Sequence, residues 1–264
     1  MRKKLYQNFI ELTNFLPVSK LIMKFAKSSL SRFIVPSYAK IYQVNVKEAE
    51  NPLKSYSSLH DFFVRGLKEG TRTFDDKQNT IISPVDAMIE QFGEISLNQE
   101  IFVKNQSYSI QEMLGDADLA EKYLDGSFIV LYLSPSHYHR IHSPVSGIVS
   151  KQFELGSTSY PVNKLGLTYG KAPLSKNYRT ITEVMEKDEN YVAVVKVGAM
   201  FINTIEITHS NEKVQKGEEL AYFSFGSTVV LLFEKDKIDF SDHVALRKEI
   251  KAGEIVAFKK AVLA

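Results

Sequence analysis

The chain has 264 residues, of which 44% are hydrophobic, and its formal net charge at neutral pH is +2. This length and composition predict a globular protein with one large domain, or with one domain and an appendage. Because the chain has no cysteine, disulfide bonds and thiolate metal sites are excluded, and the cytosol or the cytoplasmic face of a membrane is favoured.

The N-terminal segment carries most of the positive charge. Residues 1–46 contain eight basic residues and one acidic residue, a net charge of +7, so residues 47–264 carry −5. A basic segment predicts an anionic partner, either nucleic acid or a lipid surface. The phenylalanine, leucine and isoleucine content of this segment favours lipid, and we expect no nucleic-acid partner.

Short helices are predicted in residues 1–46, which Pro17 and Pro36 divide. No stretch reaches the roughly eighteen uninterrupted apolar residues of a spanning helix, and Glu11 interrupts the signal-like start. The helix over residues 20–33 has one basic side, which indicates a helix lying in a membrane interface; a surface helix packed on the body is the alternative. Its apolar side holds Leu21, Ile22, Phe25, Ala26, Leu30 and Phe33.

The remaining chain changes from helical to strand-like patterns. A helix is predicted over "YSSLHDFFVRGLKEG", from a serine cap at Ser57 or Ser58 to Gly70. After about residue 80, short β-branched and aromatic runs separated by turn residues predict strands, with one local helix around "SIQEMLGD". The predicted fold class is α+β, a β-rich, barrel-sandwich-like body with short N-terminal amphipathic helices.

A faint internal repeat runs through this body. "SPVDA" at 83–87 recurs as "SPVSG" at 143–147, and "VQKGEELAYF" has the lysine-glycine turn of small lipoyl-type barrel-sandwich domains. Two interlocked halves would form one compact β body; coincidence is the alternative.

Three of the six histidines are clustered in "SHYHRIHSP". On an extended segment His137 and His139 point the same way, a spacing used by zinc peptidases, whereas His142 lies three residues further on. A zinc site needs another ligand, and neither cysteine nor a His-Glu-x-x-His helix is present. General acid and base catalysis is the other role that imidazoles fill near neutral pH.

Two Gly-Ser-Thr triplets raise the question of a serine nucleophile. Ser157 precedes a flexible polar stretch, whereas Ser227 lies between two strand-like runs that would hold a strained bond rigidly. The G-x-S-x-G elbow of ordinary hydrolases is absent. Since glycine adopts conformations forbidden to other residues, the Ser227 hydroxyl could reach the carbonyl of Gly226 and form an ester.

Such an ester would lead to a bound electrophile. Elimination across the serine would leave dehydroalanine, which hydrolyses to a pyruvoyl group and ammonia. The serine would need a histidine base and a carboxylate, and the candidates are His139 or His142 with Asp86. The ordinary alternative for any Gly-Ser-Thr triplet is a strand or turn serine.

Ordered motifs give the chain a family likeness. It resembles the bacterial type of phosphatidylserine decarboxylase nearly from end to end. The motifs are "FFVRGLKEGTRTF" (62–74), "SPVDA" (83–87), "YLSPSHYHRIHSPVSG" (132–147), "YPVN" (160–163), "LSKNYR" (174–179), "VGAMFINTIE" (197–206) and "GEELAYFSFGSTVVLLFE" (217–234).

The resemblance implies that the chain cuts itself between Gly226 and Ser227. The products would be a β chain of residues 1–226 and an α chain of residues 227–264 that begins with a pyruvoyl cofactor derived from Ser227. The substrate amine would form a Schiff base with that group. No metal is expected.

The resemblance also assigns roles to three further residues. Asp86 and His142 would form the charge relay for self-cleavage, and His139 would act as acid and base in decarboxylation. Two positions depart from the family pattern, because Phe225 replaces a leucine and Ala87 replaces a glycine. Ala87 puts the backbone there in question if a positive φ is needed.

The implied substrate is phosphatidylserine in an anionic membrane, converted to phosphatidylethanolamine and CO2. Residues 1–46 would be membrane-associating helices and residues 47–264 the catalytic domain, which predicts a peripheral protein on the cytoplasmic face of the cell membrane. The α and β chains would be partners, and homo-oligomerisation stays open. The alternatives are a zinc peptidase using His137 and His139, and a non-catalytic carrier module, although Ala199 and its neighbours offer no carrier lysine.

Overall fold

A computed structural model describes residues 16–104, 106–199 and 205–260. The first third of the predicted N-terminal helices, residues 1–15, lies outside the described residues, and so does the 200–204 part of the "VGAMFIN" motif. The helices are α1 (Leu16–Lys27), α2 (Val35–Ile41), α3 (Leu59–Phe63), α4 (Ile110–Leu114), α5 (Ala117–Glu121), α6 (Lys164–Tyr169) and α7 (Pro173–Lys176), with 3-10 helices at Ser29–Ile34 and Leu53–Ser55.

Sixteen strands are present in the described ranges. They are β1 (Thr80–Ile82), β2 (Ala87–Glu94), β3 (Glu100–Val103), β4 (Gln106–Ser109), β5 (Ser127–Leu133), β6 (Arg140–His142), β7 (Gly147–Leu155), β8 (Arg179–Met185), β9 (Tyr191–Gly198), β10 (Ile205–Ile207), β11 (Lys213–Val214), β12 (Glu219–Phe223), β13 (Ser227–Phe233), β14 (Ile238–Phe240), β15 (Glu249–Ile250) and β16 (Ile255–Lys259).

The N-terminal helices begin where the prolines predict. Pro17 lies in the first turn of α1 and Pro36 in the first turn of α2, the positions that tolerate a missing amide hydrogen. Most of the predicted apolar side does not pack on the body. Leu21 and Phe33 are 68% and 70% exposed, whereas Ala26 is buried. Within the described ranges, no helix is long and apolar enough to cross a membrane.

The predicted helix over residues 56–70 is too long. It begins as expected, with the Ser58 hydroxyl accepting a hydrogen bond from the amide of Asp61 at 3.1 Å, but it ends at Phe63. The residues after Phe63 are not helical, because the amide of Lys68 and the carbonyl of Gly66 form hydrogen bonds with residues 48–50 instead.

The body is built on antiparallel sheets. The largest has eight strands in the order β11-β7-β8-β9-β13-β5-β2-β15. Two three-stranded sheets, β1-β16-β14 and β6-β12-β10, pack on one face of it, and α4, α5, α6 and α7 pack on the other. The α+β class is confirmed, but the strands described form open sheets and no closed barrel.

The repeat predicted from "SPVDA" and "SPVSG" is confirmed. In each copy the serine hydroxyl donates to the carbonyl two residues on, Ser83 to Val85 and Ser143 to Val145, both at 2.7 Å. The copies also bond to each other reciprocally: the amide of His142 donates to the Pro84 carbonyl, and the Ile82 amide to the Pro144 carbonyl.

The repeat extends to whole halves of the sheet. We call residues 80–133 and 227–260 the outer half and residues 140–223 the inner half. Strands β1, β2, β5, β13, β14, β15 and β16 of the outer half correspond in order to β6, β7, β8, β9, β10, β11 and β12 of the inner half. The pseudo-twofold axis passes between β9 and β13, so the corresponding strands follow in the same order from either edge of the eight-stranded sheet.

The inner half is inserted into the outer half. A short turn joins β8 to β9 in the inner half, but in the outer half the corresponding strands β5 and β13 are separated by the whole inner half. Residues 224–226 are the connection by which the chain returns from β12 to β13. The bond between Gly226 and Ser227 therefore lies at the junction of the two halves.

Candidate active site

Ser227 is the first residue of β13 and lies near the middle of the large sheet. It pairs with Leu133 of β5 on one side and with Gly198 of β9 on the other. Its side chain is fully buried, and among the described residues its hydroxyl has no hydrogen-bond partner. The next hydroxyl, that of Thr228, is also buried and has no partner in the part of the chain that the structure describes. Unpaired buried hydroxyls cost about 1–3 kcal/mol each, so their presence calls for a chemical explanation.

The glycine before Ser227 has room around it. A Cβ built on Gly226 would meet no atom within 4 Å, and Gly226 is not one of the glycines with positive φ. Gly226 therefore adopts no conformation restricted to glycine in this structure, and a role for its freedom during attack by Ser227 stays a prediction. The turn is held by α3, whose His60 Nε2 lies 3.2 Å from the Ser224 hydroxyl and whose Phe63 ring stacks on Phe225 at 5.5 Å.

His139 lies beside the same turn. Its carbonyl accepts a hydrogen bond from the amide of Phe223 at 2.9 Å, and its ring is 3.9 Å from that of Phe63. The side chain is fully buried, and neither ring nitrogen has a partner among the described residues. Burial, reinforced by the positive charge of Arg65, holds the pKa of His139 well below its usual range. The main chain of His137 partly offsets these effects, and His139 is a neutral imidazole.

His142 has partners at both ring nitrogens. Its Nδ1 donates to the carbonyl of Gly217 at 2.8 Å, which leaves Nε2 to accept from the hydroxyl of Tyr138 at 3.1 Å. Burial lowers the pKa of His142, although the Gly217 carbonyl partly offsets that effect. The ring is therefore neutral, and both of its nitrogens are engaged in this structure.

Asp86 lies at the end of "SPVD" and is buried in a network of its own. Its Oδ1 accepts from Arg72 Nε at 2.8 Å and from the amide of Ala252 at 2.9 Å, and its Oδ2 accepts from Arg72 Nη2. Arg72 also binds Glu48 at 2.9 Å. Ala87, the departure from the family pattern, begins β2 without a positive φ, so it places no strain on the aspartate.

The predicted relay residues are neighbours that do not yet bond to each other. The amide of His142 donates to the carbonyl of Pro84, two residues before Asp86, at 2.8 Å, and the carboxylate of Asp86 acts electrostatically on the imidazole. The side chains are occupied elsewhere, as described above. A relay from Asp86 through His142 to Ser227 therefore requires His142 to exchange its present partners.

A cavity of about 400 Å³ adjoins this region. Asp86, Arg72 and Tyr138 line it from the body, and His137 faces it, with Nδ1 accepting from the Ser134 amide at 3.0 Å and Nε2 lying 3.7 Å from a carboxylate oxygen of Glu249. His137 and His139 thus differ in surroundings, the first beside the cavity and the second among aromatic rings. Over the described ranges, no three His, Asp or Glu side chains are grouped as metal ligands.

The upstream triplet is a surface turn. Ser157 is exposed and follows Gly156, whose φ of 80° is left-handed and whose added Cβ would lie 2.2 Å from the carbonyl oxygen of Asn177. Here the glycine is needed for the turn itself. The interpretation of Ser157 as a turn residue and Ser227 as the buried one is confirmed.

Sequence reasoning missed several residues that hold this site together. Phe63, Arg65 and Arg72 all lie in the quoted motif "FFVRGLKEGTRTF", but periodicity gave them no function. Their contacts to His139, to residues 136–137 and to Asp86 join segments far apart in the chain. The presence of two arginines in an ordered motif was the one available signal.

Comparison with known proteins identifies the family. The family model for phosphatidylserine decarboxylase matches residues 59–258. The chain belongs to the phosphatidylserine decarboxylase family. The expectation of a carboxy-lyase is thereby confirmed, and nothing in the comparisons supports the zinc peptidase.

Full-length relatives agree with this assignment. A phosphatidylserine decarboxylase proenzyme of Geobacillus sp. (strain WCH70) is 57% identical over 260 residues, which is 98% of this chain and 100% of the relative. The proenzyme of Anoxybacillus flavithermus is 57% identical over 98% of this chain and 97% of its own length. One from Bacillus cereus (strain 03BB102) is 52% identical over 99% of both.

Proposed function

We propose that this chain is a self-processing, pyruvoyl-dependent decarboxylase that converts phosphatidylserine to phosphatidylethanolamine and CO2. The observation that carries the proposal is Ser227, a fully buried serine at the junction of two interlocked halves, whose hydroxyl has no partner within the described ranges. Its relatives are named as proenzymes, which supports a step in which the precursor is cut.

Processing is a rearrangement of one peptide bond followed by an elimination. The hydroxyl of Ser227 attacks the carbonyl carbon of Gly226, an ester replaces the amide, and the freed amino group takes up a proton. Removal of the Ser227 α-proton then expels the carboxylate of Gly226 and leaves dehydroalanine. Water converts this residue to a pyruvoyl group with release of ammonia. The open space beside Gly226 supports the attack because it can hold the tetrahedral carbon.

His142 and Asp86 serve as base and orienting carboxylate in this proposal. His142 is neutral and can take the serine proton, while a carboxylate at its other nitrogen would stabilise the imidazolium that forms. For this, His142 must give up the Gly217 carbonyl and the Tyr138 hydroxyl, and Asp86 must loosen from Arg72. Processing is then limited by this exchange of partners, which explains how an intact precursor can fold first.

His139 serves in decarboxylation. Once formed, the pyruvoyl group would supply an electrophilic carbonyl that accepts the electrons left when CO2 departs. The fit is good, because Ser227 begins a buried strand whose entrance has free space and an unpaired imidazole beside it. His139 has two unused ring nitrogens with which to take a proton and return it to the carbon that has lost CO2.

Both processed chains would stay together. The α chain, residues 227–264, contains β13, which forms seven residue pairs with β5 and seven with β9. It also contains β15 and β16, which pair with β2 and β1 of the β chain. Cutting the bond between Gly226 and Ser227 removes the amide of Ser227 but leaves the pairs from Thr228 to Phe233, so the two chains should stay associated.

The N-terminal region would bring the enzyme to its substrate. Residues 1–46 act as membrane-associating helices and residues 47–264 as the catalytic domain, on the cytoplasmic face of the cell membrane. Exposed apolar side chains lie among basic ones along residues 20–41, as an interfacial segment on an anionic bilayer requires. Each basic residue near such a surface contributes about 1 kcal/mol.

The two serine triplets provide a matched test. The wild type should yield fragments of 226 and 38 residues, the smaller with a blocked, carbonyl-bearing N-terminus, and should release CO2 from phosphatidylserine vesicles. Ser227→Ala should give one full-length, inactive chain, and Ser157→Ala should behave like the wild type. Intact-mass measurement and borohydride trapping report the outcome. An uncut wild-type chain with full decarboxylase activity would refute the proposal.

A further inference from the structure

Arg65 is a buried arginine that the proposed mechanism leaves unused. It follows α3 directly, is 4% exposed and lies over the Phe62 ring at 5.1 Å. Its Nη2 donates to the carbonyls of Ser136 and His137 at 3.0 and 3.1 Å, and its Nη1 donates to the Phe62 carbonyl at 3.4 Å. All three acceptors are uncharged. The side chain therefore fastens α3 to a turn that follows about 70 residues later.

That turn, Ser134–His139, carries two of the clustered histidines. It begins directly after Leu133, the β5 partner of Ser227, and ends at His139. Its internal hydrogen bonds join Ser134 and His137, from the Ser134 amide to the imidazole and from the His137 amide to the Ser134 carbonyl, both 3.0 Å long. The distance of His139 from Ser227 thus depends on the shape of this turn, which Arg65 holds from outside.

Arg65 forms no ion pair with the described residues, although the carboxylate of Asp86 acts on it from a greater distance. Over the described ranges no carboxylate lies within ion-pair distance of its guanidinium, and its Nε has no hydrogen-bond partner. Arg72, which lines the same cavity, differs because it is paired with both Asp86 and Glu48. A buried charge with only dipolar partners acts strongly on its neighbours, since little solvent screens it.

His139 is one of those neighbours. The groups that act on it are the aromatic ring of Phe63 from α3, and Arg65 and His137 as the charged or titratable ones. Both Arg65 and a protonated His137 oppose a positive charge on His139. The main chain of His137 offsets them in part, but no carboxylate of the described residues acts on His139, so a substrate carboxylate would be the first negative charge beside this imidazole.

We propose that Arg65 is a positioning residue for the decarboxylation: it fixes the turn that presents His139 and places a buried positive charge beside that imidazole. The inference rests on the function proposed above. It adds that the substrate carboxylate itself brings about the uptake of the proton that His139 later delivers to carbon.

Arg179 provides a matched control. It is also 4% exposed, and its guanidinium also donates to three main-chain carbonyls, those of Met113, Asn177 and Glu112, at 2.7 to 2.9 Å. It lies on the helical side of the sheet and does not act on His139. Replacing either arginine removes an equivalent set of contacts, but only Arg65 should affect the histidine.

The experiment compares Gln and Lys variants at both positions in the processed enzyme, with a short-chain phosphatidylserine as substrate from pH 5 to 9. Arg65→Gln should lower kcat about 10- to 100-fold with KM changed less than about three-fold, because the reacting groups are misplaced while the substrate still binds. It should also move the acidic limb of the kcat/KM profile to higher pH, since loss of a positive neighbour raises the pKa of His139. Arg65→Lys should restore the acidic limb but only part of kcat.

The Arg179→Gln control and a histidine titration by NMR decide the result. Arg179→Gln should lose thermal stability without moving the acidic limb. Histidine titration by NMR in the uncut Ser227→Ala background gives a second readout that needs no processing. If Arg65→Gln does not fold, Arg65→Lys remains decisive, because an unchanged kcat in that variant overturns the positioning role. An Arg65→Gln enzyme with a wild-type pH profile, or an equal shift in Arg179→Gln, also overturns the inference. A wild type that neither splits nor decarboxylates refutes the proposed function instead.

Discussion

The outer and inner halves share a scaffold almost bond for bond. In the outer half the amide of Ser83 donates to the Glu254 carbonyl at 2.7 Å, and in the inner half the amide of Ser143 donates to the Glu218 carbonyl at 2.8 Å. Each half then turns at a glycine with positive φ, Gly253 or Gly217. Seven strands in each half follow the same order. The two halves thus have the same strand order and the same turn hydrogen bonds.

The chemistry breaks the symmetry. The amide of Ala252 is bound by the carboxylate of Asp86, whereas the amide at the corresponding position, Lys216, is bound by the hydroxyl of Ser146 at 2.8 Å. His142 corresponds to Ile82, which has no titratable group. A symmetric framework supports both halves, and differences at equivalent positions provide Asp86 in the outer half and His142 in the inner half. The function is therefore concentrated at the junction.

The largest expected effect concerns the two central strands. β13 is buried throughout without a charged residue, whereas β9 contains Lys196, fully buried, whose Nζ donates to the Thr182 hydroxyl at 2.6 Å. Burial lowers the pKa of Lys196 to about 7. Since the unfolded lysine titrates near 10.5, the unfolded state binds more protons between pH 7 and 10.5, and stability rises with pH across that window.

Lys196→Met should therefore stabilise the chain at pH 7 by up to about 4 kcal/mol and flatten the pH dependence between 7 and 10. Urea unfolding of the Ser227→Ala precursor, with and without the second substitution, measures both effects. A methionine variant less stable than the parent at pH 7 would show that the amine contributes more through its hydrogen bond than burial costs.

The next comparison concerns the two acceptors at equivalent turns. Asp86→Asn keeps an oxygen for the amide of Ala252 but removes the negative charge, and it should slow self-cleavage about 100-fold or more, because the base loses its orienting carboxylate. Ser146→Ala should change the rate less than about three-fold. Timed gels of freshly purified precursor measure both rates. Similar rates for the two variants would remove Asp86 from the relay.

Two glycine substitutions distinguish a glycine that the fold requires from one that self-cleavage would require. Gly253→Ala should cost about 1–3 kcal/mol of stability, because φ is +92° and the new Cβ would lie 2.4 Å from the Thr73 carbonyl oxygen. Gly226→Ala should cost less than about 0.5 kcal/mol, since the site is open. Thermal unfolding of uncut precursors tests this pair. If Gly226→Ala folds normally but does not split, glycine is needed during the reaction and not for the fold.

The smallest expected effect concerns the N-terminal helices, which belong to neither half. Phe33→Ala, at a residue 70% exposed beside Arg32, should weaken binding to phosphatidylserine-containing vesicles about ten-fold. Leu97→Ala, equally exposed at 80% but on the body, is the matched control and should leave binding unchanged. Vesicle sedimentation measures the two affinities. Equal losses would place the membrane contact on the body as well.

Local sequence determined what depends on neighbouring residues. Prolines set the starts of α1 and α2, and serine caps set the starts of α3 and α4, because these effects act within one turn of the chain. The sequence also predicted the strands after about residue 80 and contained the family motifs in order. The length of α3 was not, since a bridge to residues 48–50 removes its last turns.

Tertiary structure decided the partners of the reactive groups. The sequence predicted one site from Asp86, His139, His142 and Ser227. In the fold, Asp86 binds an arginine, and His142 binds a carbonyl and a tyrosine. The side chains of His139 and Ser227 have no hydrogen-bond partner among the residues that the structure describes. Hydrogen bonds between segments far apart in the chain depend on how the two halves interlock. No local pattern encodes that arrangement, because the same "SPV" segment serves a charged residue in one half and a neutral one in the other.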